Sequence, residues 1–491
     1  MDPLPERLYA PAQVRELDRR AIEDHGIPGY TLMTRAGEFA YATIRERWGD
    51  RRLVAVCGAG NNAGDGYVIA RLALAAGVAA EVIYLIEPDR LSGDAARAAA
   101  DYSGAGGRWR PFDGSLPSEP AVIVDALLGT GLDRPVGGRF ADAVVAINSG
   151  SGPVLAVDVP SGLNAETGAV MGTAVRADLT VTFVGMKCGL LTGRGPQLCG
   201  DVLYHSLEVP DEVFDGVPVK AQRITDAETR RALTPRPRDA HKGISGHVLV
   251  VGGGTGMPGA ARLAAEAALR VGAGLVSVAT RPEHVAAVVA GRPELMCRGV
   301  TDPGDLAPLL RRATTVAVGP GLGQTGWSRS LLDTVLATEL PVVLDADALN
   351  LIAAAPRPRG RWILTPHPGE AGRLLQTDAE VVQGDRFGAV QALATKFAAI
   401  TVLKGAGSLV CGPDGKIGLC SAGNPGMAVA GMGDVLTGII AGLLAQGLDQ
   451  ISAARIGVLI HARAGDEASR VGERGMIASD LFPWIRHHVN P

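Results

Sequence analysis

The sequence predicts an α/β protein built from two doubly wound domains. Three observations carry that expectation. Short runs rich in β-branched residues end in Gly, Asp or Pro, as strands buried on both faces do. Ala-rich stretches of helical length lie between them. The whole pattern then starts again after a Pro- and charge-bearing segment at residues 210–243, which holds Pro210, Pro218, Pro235 and Pro237 and one short helix. In the first half the expected strands are 53–57, 81–86, 121–126, 154–159 and 179–184, with a helix at 67–77. In the second half they are 247–253, 275–280, 315–321, 341–347, 362–366 and 400–405, and helices follow the Gly-rich turns near 252–260 and 431–434. The expected domains are residues 1–216 and 217–491.

Composition narrows the class. The 491 residues are 47% hydrophobic and 20% charged, ordinary for a globular chain, and the formal charge of -4 gives no basic footprint for nucleic acid. The opening MDPLPERLYA lacks a cationic-then-apolar leader pattern, and no uninterrupted apolar run reaches the roughly 18 residues of a membrane span. Cys57, Cys188, Cys199, Cys297, Cys411 and Cys420 form no CxxC pair and no metal spacing, so they read as small buried hydrophobes in a reducing compartment. The expected location is the cytoplasm. The 66 glycines gather behind the apolar runs, where backbone turns tightly or meets a ligand.

In open parallel sheets, ligands bind beyond the carboxyl ends of strands, and every motif lies at such an end. After strand 53–57 comes CGAGNNAGDG, in which Gly58, Gly60 and Ala63 meet a dinucleotide fingerprint, so the first domain is Rossmann-like with three layers. No acid closes the second strand at the ribose-binding distance, which disfavours a plain dehydrogenase. Asn61, Asn62 and Asp65 offer oxygens in one turn for ribose hydroxyls or a hard cation, and one of the two asparagines is expected to cap the helix. The DALLGTGLDRP segment sets Asp125 at a strand tip and a Gly-rich anion cradle around Thr130, with Arg134 adding charge. Asp158 and Lys187 leave successive strands at one edge and can act as acid and base, or form a structural ion pair.

In the second half, HKGISGHVLVVGGGTGMPGA lacks the G-K-[ST] ending of a P-loop. In SAGNPGMAVAGMGDVLTGIIAGLLAQG, Gly431, Gly433 and Asp434 stand where a turn becomes a long apolar helix. Free N–H groups there make an anion hole, and Asp434 is placed to take a proton from a hydroxyl during phosphoryl transfer. His367, between two prolines at a strand end, reads as either a ligand-facing or a satisfied structural histidine.

These motifs carry a resemblance. NNAGD, DALLGTGL, DVPSG and the late lysine resemble the NAD(P)H-hydrate epimerase family across residues 8–215. HKGxxG (His241 to Gly246), GPGLG (Gly319 to Gly323), LDADALN (Leu344 to Asn350), TPHPGE (Thr365 to Glu370), KGAGS (Lys404 to Ser408) and GMGD resemble the NAD(P)H-hydrate dehydratase branch of the ribokinase-like superfamily across 222–488. The second domain is therefore expected to be ribokinase-like. The resemblance implies potassium held by Asn62, Asp125 and Ser161. It implies the hydrated dinucleotide against Asn61, Asn62, Ala63, Gly64 and Asp65, against the loop Gly129, Thr130, Gly131, Leu132, Asp133, Arg134 and Pro135, and at Asp158. Ala63 departs from the family's usual glycine, which matters if that position needs φ > 0. In the second half the resemblance implies substrate contacts at Ala260, Gly321, Gly323, His367 and Asp434. ADP with Mg2+ would sit at Lys404, Gly405, Ala406, Gly407, Ser408 and Gly433. The implied partners are the NADH and NADPH hydrates and ADP, in a homo-oligomer. The alternative is a ribokinase-like small-molecule kinase with a fused nucleotide-binding accessory domain; a non-enzymatic, nucleotide-sensing first half is a third reading.

Overall fold

The computed structural model describes residues 4–119, 121–355 and 361–490. It divides into two compact units, Met1–Gln222 and Arg223–Pro491. Ala221 and Gln222 belong with the first unit because they pair antiparallel with Leu8 and Arg7.

The first unit has a seven-stranded sheet whose members are all parallel. Across the sheet run Arg108–Pro111, Ala80–Tyr84, Leu53–Cys57, Val122–Ala126, Val154–Val157, Leu179–Phe183 and Asp201–His205. The chain works outward from Leu53–Cys57 in one direction and then returns to Val122–Ala126 and works outward in the other. The topological switch therefore lies between those two strands, where open α/β sheets place ligands. Helices Gly29–Trp48 and Gly60–Ala75 bury Met33, Ala40, Tyr67 and Val68 against one face, around Ala55, Val124 and Leu155. Helix Gly138–Ser149 buries Ala143, Val144 and Ile147 against the other, around Val54, Val56 and Ile123. A small separate pairing sets Leu8 and Tyr9 parallel to Met186 and Lys187.

The second unit repeats the plan. Its parallel strands lie in the order Met296–Gly299, Leu275–Thr280, His247–Val251, Thr315–Val318, Val342–Leu344, Trp362–Leu364 and Ile400–Leu403, and Ser408–Cys411 and Ile417–Cys420 follow antiparallel. Here the switch falls between His247–Val251 and Thr315–Val318. Helix Pro258–Arg270 packs directly on Met432–Ala445, because small residues face each other: a Cβ on Gly438 would stand 1.9 Å from the Ala264 carbonyl oxygen. Among the described residues no helix is long and apolar enough to cross a membrane.

The observed strands stop short of several expected ends. Val154–Val157 ends before Asp158, and Thr315–Val318 ends before Gly319, so those polar and Gly positions are loop rather than strand. Eight further strands, Arg7–Tyr9, Arg108–Pro111, Met186–Lys187, Asp201–His205, Ala221–Arg223, Met296–Gly299, Ser408–Cys411 and Ile417–Cys420, stand outside the expected set among the described residues.

Candidate active sites

In the first unit, strand Leu53–Cys57 runs through Gly58 into helix Gly60–Ala75. Gly58 is required by close approach, since a Cβ there would lie 2.0 Å from the Leu127 carbonyl oxygen across the switch point. The helix starts earlier than expected, so Asn61 through Asp65 form its first turns. Neither asparagine caps it: the N-cap is Ala59, without a side-chain cap bond. Ala63 is helical and fully buried, and the positive φ of the turn falls on Gly60 (74°), so alanine is at no conformational disadvantage there.

Relieved of capping, Asn62 is buried with both amide atoms unpartnered. Buried polar groups are almost always satisfied, so an orphaned amide marks a place for a ligand. Gly129 of the facing loop stands against it; a Cβ there would be 3.4 Å from that of Asn62. Asp125 is fully buried. Its carboxylate accepts from the Ser161 hydroxyl at 2.6 Å and the Ser161 amide at 2.8 Å, and from the Leu127 amide at 3.3 Å. Burial pushes its pKa up to about 6 against those hydrogen bonds. Amide, carboxylate and hydroxyl oxygens with one negative charge suit a hard monovalent cation. In the 129–135 loop Gly131, Asp133, Arg134 and Pro135 are exposed, while Gly129, Thr130 and Leu132 are partly buried.

Beyond the next strand, Asp158 adopts φ 68°, a left-handed conformation uncommon for a non-glycine residue. Strain of this kind persists where the surroundings over-determine the backbone. Here they do: Asp158 is ion-paired with Lys187, which also donates to the Phe183 carbonyl at 2.8 Å and the Thr182 hydroxyl at 3.2 Å. Lys187 is 1% exposed and lies on its own short strand, not at the end of Leu179–Phe183. Two further carboxyls feel this pair, Asp65 and Asp18. Burial, then the Asp158 and Asp18 charges, holds Asp65 well above the carboxylate range. Asp18, on helix Pro11–Arg19, is pushed up to about 6 by burial. Sequence reasoning missed Asp18 because the charge-rich stretch VRELDRRAIED looks like a solvated helix.

In the second unit, the switch-point turns meet. Gly254 donates to the Gly321 carbonyl at 2.6 Å, and a Cβ on Gly321 would come within 3.0 Å of that of Ala260. Gly323 donates to Asp347 at 2.7 Å. Asp345, 1% exposed at the end of Val342–Leu344, accepts from Lys404 at 2.7 Å and from Thr365 at 2.9 Å. Burial opposes its ionisation, yet Lys404 and these hydrogen bonds hold its pKa below the usual range. Glu370 stands 3.8 Å from Lys404 and is itself raised, chiefly by burial.

Gly431, at φ 89°, turns the chain into helix Met432–Ala445, and Asp434 falls in its first turn. The first amides of a helix lack intrahelical partners and carry its positive end. A Cβ on Gly433 would stand 3.2 Å from Lys404 Nζ and 3.6 Å from Asp345 Oδ2, so glycine leaves this corner open. Asp434 is half-buried, and burial followed by the Asp345 charge pushes its pKa up to about 7, with Lys404 opposing. Behind it, His461 is held down to about 4 by burial and stays neutral.

The 404–408 turn bridges strands Ile400–Leu403 and Ser408–Cys411, with Gly405 and Gly407 at φ 132° and 63°. Buried Arg386 fastens it from beneath, donating to the carbonyls of Leu403, Lys404 and Gly407 at 3.3 Å each. Desolvation lowers that guanidinium to about 10. His367 has a structural part: its Nδ1 accepts from the Gly369 amide at 3.0 Å as a helix cap, while its side chain is half exposed. Burial, then the Lys404 and Arg373 charges, lowers its pKa. Sequence reasoning left Asp345, Glu370 and Arg386 without roles. For Asp345 the signal was present, an acid ending an apolar strand in LDADALN.

A family model described as NAD(P)H-hydrate dehydratase matches residues 248–486, and one described as YjeF-related protein N-terminus matches residues 29–189. A bifunctional NAD(P)H-hydrate repair enzyme of Coxiella burnetii is 50% identical over 486 residues, covering 99% of each chain. That of Escherichia coli is 41% identical over 490 residues, covering 99% of this chain and 95% of its own. A solved ribokinase-like superfamily protein from Enterococcus faecalis is 27% identical with a TM-score of 0.51, over 55% of this chain and 96% of its own. The chain belongs to the family of bifunctional NAD(P)H-hydrate repair enzymes.

Proposed function

We propose that the chain returns hydrated NADH and NADPH to their reduced forms in two steps, one in each unit. The second unit dehydrates the S hydrate at the expense of ADP, giving AMP and phosphate. Hydration leaves a hydroxyl on C6 of the nicotinamide ring, and hydroxide is a poor leaving group. Asp434 takes the hydroxyl proton, and the oxygen attacks the terminal phosphorus of ADP while the bond to AMP breaks. The ring nitrogen's lone pair then expels the phosphate from C6, and loss of a C5 proton restores the dihydronicotinamide. A base with a pKa of about 7 suits this step, being about half ionised at neutral pH and a stronger proton acceptor than an ordinary carboxylate. The first-turn amides at Gly433 and Asp434 and the Lys404 ammonium face the transferring phosphoryl. The turn Lys404–Gly405–Ala406–Gly407–Ser408 holds the nucleotide, whose phosphates bring magnesium. Ala260, Gly321, Gly323 and His367 contact the hydrate.

The first unit supplies the S form by interconverting the two C6 epimers through proton transfers at Asp158, held by Lys187. Residues 61–65, the 129–135 loop and Asp158 bind the dinucleotide. Asn62, Asp125 and Ser161 would hold potassium, which when bound would supply a fixed positive charge to the site.

The observation that carries this reading is Asp434 beside Lys404 at the amide-lined start of an apolar helix. Incubation with hydrated NADH, ADP and magnesium tests it. NADH, AMP and phosphate are expected in equal amounts. A stable phosphorylated hydrate would make the second unit a small-molecule kinase instead.

A further inference from the structure

We infer that Asp18 is a positioning residue of the epimerisation site. Its carboxylate, set beside the Lys187–Asp158 pair by helix Pro11–Arg19, crowds negative charge against Asp65 and keeps Asp65 as the site's carboxylic acid. This rests on the proposal that the first unit epimerises the hydrate.

The geometry starts at the amino terminus. Leu8 and Tyr9 pair with Met186 and Lys187, so the short strand carrying the lysine is held by the strand that leads into the Asp18 helix. The Cys188 thiol reaches the Tyr9 carbonyl at 3.4 Å. A Cβ on Gly185, two residues before Lys187, would meet Val14 at 2.9 Å and Leu17 at 3.1 Å, so the helix lies on that turn with Asp18 next along it. Asp65 reaches the same place on helix Gly60–Ala75, which packs on Val122–Ala126 and Val154–Val157 and shares its core with Val14 and Leu17 of the Asp18 helix. Asp158 follows directly after the second of those strands.

The charges do not balance there. Asp18, Asp65 and Asp158 face a single ammonium, Lys187. The cations next to Asp18 in the chain are engaged elsewhere: Arg19 with Glu16, Glu23 and Asp24, and Arg20 with Glu16 and the Val213 and Asp215 carbonyls. Cys57, behind Asp65, is held neutral by burial, which pushes its thiol up. Carboxyls that share too little positive charge cannot all ionise, and one retains its proton. The upward direction of both Asp65 and Asp18 agrees with that count, and Asp65 feels the Asp158 and Asp18 charges together.

Epimerisation uses such an acid. A C6 hydroxyl beside a ring nitrogen is a hemiaminal. Asp158 accepts the hydroxyl proton, the oxygen's electrons form a C6 carbonyl, the C6–N1 bond breaks, and N1 takes the proton of Asp65. After rotation about C5–C6, the nitrogen closes on the other face of the carbonyl and both protons return. The cycle consumes nothing and needs one base and one acid at once.

The test follows exchange of the two epimers by chromatography across pH, using the full chain as wild type, Asp18→Asn, Asp18→Glu and Asp158→Asn. Thermal unfolding of the same samples, followed by circular dichroism, reports whether the first unit is folded. Removing the Asp18 charge lets Asp65 ionise more readily, so the alkaline limb of the Asp18→Asn exchange profile is expected to move down by about one pH unit. Exchange above that limb is then expected to fall about tenfold, and Asp18→Glu is expected to restore it. An Asp18→Asn profile with unmoved limbs, while Asp158→Asn is inactive, overturns the role of Asp18 alone. Wild-type exchange in Asp158→Asn overturns Asp158 as the base and this inference with it, whereas wild-type protein that exchanges the epimers no faster than buffer overturns the epimerisation reading.

Discussion

Replacing Asp345 with asparagine isolates one electrostatic contribution to the base in the second unit. Asparagine has the same shape, and its carbonyl still accepts from Thr365 and Lys404, which now reach Asp345 Oδ1 at 2.9 and 2.7 Å. The charge alone is lost. Asp345 Oδ2 lies 3.6 Å from a Cβ position on Gly433, next to Asp434 in the chain. With the two carboxylates roughly 7 Å apart and an effective dielectric near 20, their repulsion is about 2 kcal/mol, or somewhat more than one pH unit. Lys404, less neutralised, acts in the same direction. Asp434 works as a base only when ionised, so dehydration falls as pH drops through its pKa, about 7 in the native protein. In Asp345→Asn that acid limb is expected about 1.5 units lower, with a reduced plateau because the base is weaker. The assay is NADH formation from the S hydrate and saturating ADP between pH 5 and 9, roughly the range in which both limbs fall. A limb that stays in place, or moves upward, would refute the claim that Asp345 raises Asp434. Stability adds a second reading. The depressed pKa of Asp345 contributes stability above its unfolded value that is lost as pH falls. The variant is therefore expected to melt lower at neutral pH, with the gap narrowing in acid.

Other perturbations separate the remaining parts. Asn62→Ala is expected to remove potassium stimulation of epimer exchange while leaving dehydration unchanged; persistent stimulation at wild-type concentrations would place the ion elsewhere. Lys187→Met leaves Asp158 without its cation, and epimer exchange is expected to fall by at least about 100-fold, measured against intact dehydration in the same sample. Arg386→Met strands three carbonyls beneath the nucleotide turn. A loss of about 2–4 kcal/mol in denaturant unfolding of the second unit and a raised KM for ADP are expected, and an unchanged KM would reduce the arginine to a purely structural role.

The fold was legible wherever burial on both faces forces an apolar, β-branched run. LVAVC, VLAV and HVLVV announce themselves because no polar residue is tolerated in the middle of a covered parallel sheet. Arg108–Pro111 and Met296–Gly299 gave no such signal because they are edge strands, each exposed at two positions and buried at none, and carry Arg, Pro and Gly. Ser408–Cys411 and Ile417–Cys420 are short and antiparallel, and the Gly-rich turn before them drew attention away from the strands it joins. The candidate positions stood out for a related reason: Asp125, Asp158 and Lys404 lie where an apolar strand run stops, and Asp434 follows Gly433 where a turn becomes a helix. Side chains that act from helices were hidden. Asp18 and Arg386 lie within charged amphipathic stretches, and only the tertiary packing reveals that one faces Lys187 and the other is fully buried. The asparagine pair misled in the opposite sense. Either residue makes a good cap by type, but the helix begins at Gly60, upstream of both, which leaves Asn62 unpartnered in the interior.

The most direct measurement is chromatographic quantification of both hydrate epimers and NADH after incubating Asp434→Ala with ADP and magnesium. The account predicts no NADH above the uncatalysed background, with R and S forms still exchanging at the wild-type rate. NADH formation near the wild-type rate would show that the carboxylate at the start of helix Met432–Ala445 is not the base, and loss of both activities together would contradict two independent sites.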